Sequence, residues 1–586
     1  MRAFAAAVVL GAVLAAAFGA PRASGTFPPP RLSEQQAKRI FLANDKVAGW
    51  LRHYPRSTWV TSAELRPTDR RWQVNVFSGA AGEVATGLVD DTTGFVDEAW
   101  TGPQVAWPLA RGPGLGGVIN HLDVWLVFCA AFLLGLGNLR RPLSMRNLDL
   151  FALLSFSVPL WVFNHGHVFA GVVLTVPPLV YLIARCAWIG ATNKSSPAGG
   201  WLPVWLLVFA TLCLVGFRIH LNVNHSGVLD VGYAGVIGAD LIDHGTDPYG
   251  NFPIRDTGKP CGPANLAGAI NDWVQANGRC ESANPLGDTY GPVNYHAYLP
   301  GLWLFGWSGK WDRLPAVHVT TILFDLLALL GLAGVGYRFG GVRLASVLAF
   351  AWAAYPFTQY VSSSNTNDAI MPALLVWGFW AATWDAGRGI FAALASWAKL
   401  AALIVVPLWL TYPSLDERRR ALRFGLAFVA TTALSFWVLF LGGDPLHEAR
   451  VFYDRTFRIQ FDRSSPFSLW DWAQYHIGLP DLKWLQHVLQ VVLALAAIAV
   501  AIVPRRKSPL QLAALTGALL VAFELLLTHW SSLYVSWFFP FVLLAVVAAS
   551  ALDGLPDAEP ASPVSTASPR SGERASSPVP AGAPDA

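Results

Sequence analysis

Long apolar runs recur along most of this sequence, and they constrain its fold more than any other feature. Of the 586 residues, 54% are hydrophobic and only 13% are charged, which is about half the charged fraction of an ordinary soluble protein. A helix of about 20 apolar residues crosses the hydrocarbon core of a bilayer. The sequence therefore predicts an α-helical polytopic membrane protein embedded among membrane lipids. The formal net charge of +4 is small, so nucleic acid is not expected as a partner.

From Gly117 onward we predict about eleven membrane spans. They are 120–138, 147–164, 167–185, 201–218, 315–337, 341–360, 368–385, 421–442, 484–503, 509–528 and 532–551. Short basic loops all fall on the cytoplasmic side if the segments 291–308 and 388–412 are re-entrant helix pairs rather than spans. The outer face then collects the loops 219–290 and 443–483, together with the turns at 362–368 and 529–537.

Both ends of the chain differ from this membrane region. Residues 1–24 are typical of a secretory signal peptide or signal anchor. In 25–116, a helical pattern over 32–51 precedes short alternating runs, which predicts a small extracytoplasmic α+β domain that resembles PepSY domains. Two roles are open for it: binding or regulating an envelope protein, or forming a passive cap. Three spans in 117–199 precede a core at 200–552, and the composition of 553–586 predicts a disordered cytoplasmic tail.

Two of the five cysteines lie in the long polar loop 219–290. If this loop faces an oxidising compartment, we expect a disulfide between Cys261 and Cys280. The other three cysteines fall within predicted spans. No CxxC or histidine pairing indicates a metal site.

The same loop begins with an aspartate just beyond the outer end of an apolar helix. Asp230 starts the stretch DVGYAGVIGADLIDHGTDPYG, and a carboxylate held at a membrane surface is suited to accepting a proton. We therefore regard Asp230 as a candidate catalytic base. The competing interpretation is a helix-capping or first-turn aspartate. Asp240 and Asp243 fall in an amphipathic stretch, for which a solvated polar face is the favoured interpretation.

Three arginines punctuate the second outer loop, in FYDRTFRIQFDRSSPFSLWDW at 452–472. Arg455, Arg458 and Arg463 recur at nearly helical spacing, so at least two of them can converge on one anion. Guanidinium groups suit phosphate because they bind it bidentately and stay charged. The alternative is ion pairing with Asp454 and Asp462.

Ionisable side chains inside apolar segments are functional candidates. Asp325 and Glu524 lie within predicted spans, and Lys399 lies at the tip of the segment 388–412. Two roles are open for Lys399: neutralising Asp325, or reaching a phosphate within the membrane. His529 ends a span at the outer face, where a site role and a place in an aromatic belt are both open.

The order of these motifs resembles the GT-C type membrane glycosyltransferases, particularly family 87. The motifs are LDVGYAGVIGADLIDHGTDPYG, YGPVNYHAYLPGLWLF, SNTNDAIMPALLVW, GIFAALASWAKLAALIVVPLWL and RIQFDRSSPFSLW. They resemble that family's acidic loop, re-entrant segment, polar turn, lysine-bearing half-helix pair and arginine-rich loop. The resemblance covers about 200–550, and the re-entrant segment reads YGPVN where the family has YPP.

This resemblance implies an inverting transferase at the outer face of a bacterial plasma membrane. It would move mannose, or a pentose such as arabinose, from a polyprenyl-phosphate donor to a cell-envelope glycolipid or polysaccharide. Asp230 would be the base. The donor phosphate would be bound by Arg455, Arg458, Arg463, Lys399 and His529. The acceptor or the sugar would contact Asp240, Tyr290, Asn294, His296, Asn367 and Asp368.

The resemblance implies no metal and no cofactor. Two other functions compete with glycosyl transfer. One is a transporter or flippase of a lipid-linked saccharide, which usually shows internal repeats; this sequence has no convincing repeat. The other is a non-catalytic envelope scaffold, which would leave the outer acids and arginines without a role.

Overall fold

The computed structural model describes residues 29–66, 70–78, 83–101, 105, 116–164, 168–194, 202–252, 256–260, 273–274, 279–281, 287–309, 314–458, 460, 467–470 and 480–553. Its α-helices are Glu34–Ala43, Asp45–Leu51, Leu122–Leu136, Met145–Ser155, Ser157–Asn164, Val168–Thr192, Val204–Asn224, Asp230–Asp243, Pro292–His296, Leu299–Phe305, Pro315–Ala354, Pro356–Ser364, Ile370–Trp380, Asp385–Ala398, Val406–Leu410, Arg418–Ser435, Pro445–Tyr453, Lys483–Ile502, Pro509–Leu525, Val535–Val547 and Ala549–Leu552. The 3-10 turns are Arg56–Thr58, Gly117–Asn120, Asn367–Ala369, Leu400–Val405, Phe436–Phe440 and Ser532–Tyr534, and Asp454–Arg458 is a π-helical turn.

The N-terminal part contains two short helices and a four-stranded antiparallel sheet. The strands are β1 (Trp59–Arg66), β2 (Arg71–Ser78), β3 (Glu83–Asp90) and β4 (Val96–Thr101), paired in the order β1-β2-β3-β4. The helical pattern over 32–51 forms two helices rather than one. They separate at Asn44, whose side chain accepts from the backbone of the second helix, because asparagine favours such caps. The resemblance to PepSY domains stays a prediction.

Three further strands lie in the outer loop 219–290. They are β5 (Asp256–Pro260), β6 (Trp273–Val274) and β7 (Arg279–Glu281), in the order β5-β7-β6. Cys261 lies outside the described residues, as does the side chain of Cys280. The predicted disulfide therefore stays a prediction.

Six described helices are long and apolar enough to cross a membrane. They are Met145–Asn164, Ala170–Thr192, Val204–Asn224, Pro315–Ala354, Arg418–Phe440 and Lys483–Ile502. Four shorter apolar helices accompany them: Leu122–Leu136, Leu400–Leu410, Pro509–Leu525 and Ser532–Val547. The chain is thus a helical protein with the character of a membrane protein. The count of eleven spans stays a prediction.

The longest of these helices is folded back on itself. Gly340 and Gly341 have non-helical dihedral angles. Gly336 lies before this break and Ala345 lies after it. A Cβ on Gly336 would lie 2.6 Å from the backbone of Ala345, so the two halves of Pro315–Ala354 pack closely side by side. This division agrees with the two predicted spans 315–337 and 341–360.

The segment 385–412 is a hairpin whose two ends are adjacent. The guanidinium of Arg388, near its start, donates to the carbonyl oxygens of Trp409 (3.1 Å) and Tyr412 (2.8 Å), near its end. The helical path breaks at Lys399, which is extended (φ −145°, ψ 127°). The segment is therefore a helical hairpin with Lys399 at its tip, and its re-entrant placement in a membrane stays a prediction.

A buried ion pair joins two of the long helices. Arg218 donates to both carboxylate oxygens of Asp325, and Trp352 Nε1 donates to the same carboxylate at 2.9 Å. The prediction that Asp325 neutralises Lys399 is therefore wrong, because Asp325 is already paired within the helix bundle. Breaking such a buried pair typically costs about 3–5 kcal/mol, so Asp325 has a structural role.

Candidate functional site

Asp230 lies at the start of the helix Asp230–Asp243 and is half-buried. It is the first helical residue, and Leu229 occupies the capping position without a side-chain hydrogen bond. The first-turn interpretation therefore describes its position correctly. A first-turn carboxylate is stabilised by the helix dipole, and this position leaves a role as a proton acceptor open.

A buried polar turn, residues 362–369, contacts this helix. Its members Ser362 to Asp368 are at most 2% exposed. Thr366 caps the short 3-10 turn Asn367–Ala369 through its side chain, and this turn packs against the helix Asp230–Asp243. Several of its side chains are hydrogen-bonded, among them those of Asn365, Asn367 and Asp368.

The tip of the 385–412 hairpin reaches the same polar turn. Lys399 Nζ lies 2.6 Å from Asp368 Oδ1, and the two side chains are 7% and 1% exposed. Trp537 Nε1 donates to the same oxygen at 2.9 Å. A lysine and an aspartate so far from water require each other, because either charge alone would be strongly destabilised.

Three aromatic rings surround the ammonium group of Lys399. Its Nζ lies 4.8 Å from the ring centre of Trp537, 5.4 Å from that of Tyr290 and 5.5 Å from that of Tyr534. Each desolvated contact of this kind contributes about 2 kcal/mol. The arrangement fixes a positive charge deep in the protein, where it acts strongly on any anion that approaches.

Two asparagines predicted as sugar or acceptor contacts meet beside this cation. Asn367 Nδ2 donates to Asn294 Oδ1 at 2.8 Å, and both residues are fully buried. Three neighbouring atoms make no hydrogen bond within the described part of the chain: Asn294 Nδ2, Asn367 Oδ1 and Tyr298 Oη. Since unpaired buried polar atoms are rare, their concentration here indicates a site for a polar ligand.

The segment that carries Tyr290 and Asn294 is held between two helices. Gly235 and Gly238 of the helix Asp230–Asp243 pack directly against the rings of Tyr298 and Tyr295, where a side chain would collide. On the other side, Gly291 packs against the backbone of Trp397. Four of the six predicted contacts, Tyr290, Asn294, Asn367 and Asp368, are therefore brought together around Lys399.

A second cluster, named the outer clamp because it lies in the two loops predicted to be outside, joins the DPYG turn (247–250) to the loop 443–483. Asp288 Oδ2 accepts from the backbone of Gly250 at 2.8 Å and from Arg455 Nε at 2.7 Å. The ring of Tyr249 packs on Phe452 at 4.9 Å. Arg455 thus pairs with Asp288, and Asp462, one of the two partners in the alternative interpretation, lies outside the described residues.

The outer clamp also contains two carboxyl groups in contact, Asp247 and Glu448. Burial raises the pKa of Asp247 to about 8, and the neighbouring Glu448 and Asp288 act in the same direction. Burial likewise raises the pKa of Asp288, although Arg455 opposes the change. We infer that Asp247 is mostly protonated at neutral pH.

A hydrogen bond links the clamp to Tyr290, whose ring contacts Lys399. Tyr249 Oη donates to the carbonyl oxygen of Tyr290 at 3.0 Å, and the ring of Tyr290 is one of the three around the ammonium group. A rearrangement of the clamp should therefore move the Tyr290 ring.

The protein should lose stability as the pH rises from about 4 to about 8. Unfolded aspartate titrates near pH 4, whereas folded Asp247 titrates near 8, so the folded state holds one more proton across this window. Asp247→Asn should flatten the decline, and its apparent Tm should exceed that of the wild type at pH 8 but match it near pH 4. Thermal unfolding in nanodiscs across this range measures the effect, with the exposed Asp454→Asn as control. Parallel curves for wild type and Asp247→Asn would refute the assignment.

Four predicted residues lie elsewhere. Asp240 is ten residues beyond Asp230, about 15 Å along the helix, and lies 3.5 Å from His244. His296 stacks on Trp437 at 5.9 Å. Arg458 is exposed and lies 3.7 Å from Asp454, so the ion-pair interpretation is confirmed for it. His529 meets the ring of Phe467 at 4.9 Å. Arg463 lies outside the described residues.

Glu524 is buried in the helix Pro509–Leu525, as the sequence predicts for an ionisable group inside an apolar segment. It is 1% exposed. Its carboxylate oxygens make no hydrogen bond to the residues that the structure describes. We assign it no role.

Sequence reasoning missed several residues of this region. Asn222, Asn365, Trp537 and Tyr534 bond or pack around the polar turn, and Glu448 joins the outer clamp. Asn365 lay within the motif SNTND but was not singled out. Glu448 gave no signal, because nothing in the pattern PLHEAR separates a buried glutamate from an exposed one.

Within the described ranges, no group of three or more His, Cys, Asp or Glu side chains is arranged to hold a metal ion. No protein-family model matches the sequence. No curated protein is significantly similar to it.

Proposed function

We propose that this protein is an integral-membrane glycosyltransferase. It transfers a sugar, mannose or a pentose such as arabinose, from a polyprenyl-phosphate donor to a cell-envelope glycolipid or polysaccharide. One observation carries the proposal: a half-buried acid and a buried, fully enclosed cation are attached to the same polar turn. Asp230 begins the helix that packs on this turn, and Lys399 is bound to its Asp368.

The two groups suit the two ends of a single displacement. An acceptor hydroxyl attacks the anomeric carbon of the donor from the face opposite the phosphate. Asp230 takes the hydroxyl proton as the new C–O bond forms. The bond between the anomeric carbon and the phosphate oxygen breaks, and the electron pair leaves with the phosphate. Lys399 and Arg455 stabilise the charge that develops there, and the configuration of the sugar is inverted.

The polar atoms around Asn294 and Asn367 suit the sugar. Asn294 Nδ2 can donate, Asn367 Oδ1 can accept and Tyr298 Oη can do both. A pyranose or furanose presents hydroxyl groups of both kinds. Rejection of an analogue that lacks one hydroxyl is strong when a buried partner is left unpaired, so these three side chains are the proposed source of sugar selectivity.

A lipid-linked donor fits an active site on the outer face of the membrane. Nucleotide sugars are confined to the cytoplasm, whereas a polyprenyl-phosphate sugar can be flipped across the bilayer. The proposed topology of about eleven spans, with the outer loops 219–290 and 443–483 facing away from the cytoplasm, brings Asp230 and the arginines to that face. The ectodomain is proposed to face the same side.

Arg463→Ala should mainly weaken donor binding. A charge-assisted hydrogen bond contributes about 1.5–3 kcal/mol, so the Kd for a polyprenyl-phosphate sugar should rise by about 10-fold or more. Titration of the purified protein in nanodiscs, followed by tryptophan fluorescence, measures this affinity. Arg420→Ala is the matched control. Arg420 pairs with Glu417 at the basic N-terminal end of the helix Arg418–Ser435, the end opposite to the loop 443–483. Unchanged donor affinity in Arg463→Ala would show that this arginine is structural.

A further inference from the structure

Two backbone hydrogen bonds connect the residues just before Asp230 to the polar turn. The backbone N–H of Gly227 donates to the carbonyl oxygen of Ser363 at 3.2 Å, and that of Leu229 donates to the carbonyl oxygen of Ser364 at 3.0 Å. The carbonyl of Leu229 then accepts from Gly232 and Tyr233. The backbone just before Asp230 is thus bonded to the turn, and the helix's own hydrogen bonds begin at Leu229.

One side chain, Asn365, closes this arrangement. Its Nδ2 donates to Ser226 Oγ at 2.8 Å and to the carbonyl oxygen of Gly227 at 3.0 Å. Its Oδ1 accepts from Asn222 Nδ2 at 2.8 Å. Asn365 is fully buried, and its bond with Asn222 is buried as well, so loss of the amide leaves Asn222 with an unpaired group.

The backbone of Asn365 is equally specialised. It ends the helix Pro356–Ser364 in the left-handed conformation, with φ +48°, which asparagine and glycine tolerate better than other residues. Its carbonyl oxygen lies so close to Gly232 that a Cβ there would approach to 2.1 Å. The first turn of the Asp230 helix therefore rests directly on Asn365.

Asn222 extends the same network into the helix Val204–Asn224. Its Nδ2 also donates to the carbonyl oxygen of Ser362 at 2.6 Å, and its Oδ1 lies 3.0 Å from His318 Nδ1. Asn365 thus receives support from two long helices. On its other side, only two residues separate it from Asp368, the partner of Lys399.

From this geometry we propose that Asn365 is a positioning residue that fixes the carboxylate of Asp230 relative to the Lys399–Asp368 pair. The inference rests on the proposed function, because it assigns Asp230 the role of base. Asn365 touches neither donor nor acceptor. It acts by holding the helix start and the polar turn as one rigid unit, so that the base and the cation keep a constant separation while the sugar moves between them.

Asn365→Gly tests this role, because glycine keeps the left-handed backbone but removes the amide. A displacement of about 1 Å costs about 100-fold in rate. We expect kcat to fall by about 10- to 100-fold, with the KM for the donor changed less than about 3-fold. Asn224→Ala, an exposed asparagine at the same helix end that bonds only to its own turn, should behave as wild type. A wild-type kcat in Asn365→Gly would overturn the proposal.

Two further measurements separate positioning from general loss of structure. In an Asp230→Asn background, Asn365→Gly should lower the residual rate no further, since residues that act through one group are not additive. Asn365→Asp retains an acceptor for Asn222 but cannot donate to Ser226 and Gly227. It should therefore reproduce the loss in kcat, and its buried carboxylate, which faces the carbonyl oxygen of Gly227, should lower the apparent Tm as well. A full additive loss in the double variant would contradict the proposal.

Hydrogen–deuterium exchange tests the positioning without any turnover. A peptide covering 226–233 should exchange at least several-fold faster in Asn365→Gly than in the wild type or Asn224→Ala. Unchanged exchange would overturn the positioning role. Faster exchange in a protein that transfers no sugar would confirm that Asn365 orders Asp230 and would place the failure in the proposed function.

Discussion

Asp230→Asn should lower the rate of sugar transfer by about 10²- to 10⁴-fold, the usual contribution of a positioned general base. Expression and thermal stability should stay near wild type. Asparagine is nearly isosteric, and the side chain sits in the first turn of a helix, where a carboxylate contributes only about 0.3–1 kcal/mol through the helix dipole. Transfer by the purified variant, compared with its apparent Tm, measures both expectations.

Asp243→Asn provides the control on the same helix. Asp243 lies at the far end and accepts from Trp303 Nε1 at 2.7 Å on the exposed face, so its loss should leave transfer within about 2-fold. Normal turnover by Asp230→Asn would remove Asp230 as the base. A large drop in both variants would indicate that the helix, and not the acid, is what transfer requires.

Lys399→Met should have the largest effect on stability. It leaves Asp368 buried at 1% exposure without its cation. Removing one partner of a buried pair typically costs about 3–5 kcal/mol, and three aromatic contacts are lost as well. The apparent Tm should therefore fall by many degrees, and donor binding should fall with it.

The double variant Lys399→Met/Asp368→Asn distinguishes the two roles of this lysine. Replacing both charges by neutral groups of similar size is often neutral for stability, so the apparent Tm should return close to wild type. Trp537 can still donate to the amide oxygen. Donor affinity and transfer should not return, because the cation that stabilises the phosphate is still missing. Full recovery of donor affinity would show that Lys399 has only a structural role.

The sequence predicts well the features that depend on local pattern. Apolar runs indicate the long helices, the break at 340–341 lies at the start of the predicted span 341–360, and Lys399 marks the tip of a hairpin. The side chains that cluster around Lys399 were found because polar residues are conspicuous in an apolar sequence. Asn294, Asn367 and Asp368 gather for that reason.

The sequence does not predict which charged residues form ion pairs with each other. Asp325 pairs with Arg218, which is 107 residues away, rather than with Lys399, and Arg455 pairs with Asp288, which is 167 residues away. Which charges meet is decided by how helices pack, and a single sequence gives no register between distant helices. The positioning role of Asn365 depends likewise on hydrogen bonds to Asn222 and Ser226 across 143 and 139 residues.

The ectodomain has a contact that its sequence pattern does not suggest. Trp100 of β4 packs on Phe163 at 6.0 Å, and Phe163 packs on Phe467 at 5.5 Å. The backbone of Phe467 in turn accepts from Trp530 at 3.1 Å. The N-terminal sheet is therefore joined by aromatic packing to the loop 443–483, and both roles predicted for this domain stay open.

The central claim is that this protein transfers sugar from a polyprenyl-phosphate donor with Asp230 as base. The most direct test incubates the purified protein in nanodiscs with polyprenyl-phosphate [¹⁴C]mannose or [¹⁴C]arabinose and an envelope lipid extract as acceptor, and follows label by thin-layer chromatography. The account predicts time-dependent labelling of a new glycolipid or glycan by the wild type, and labelling at least about 100-fold slower by Asp230→Asn. Equal labelling by both proteins, or movement of the intact donor across the bilayer without cleavage of the sugar–phosphate bond, would contradict it.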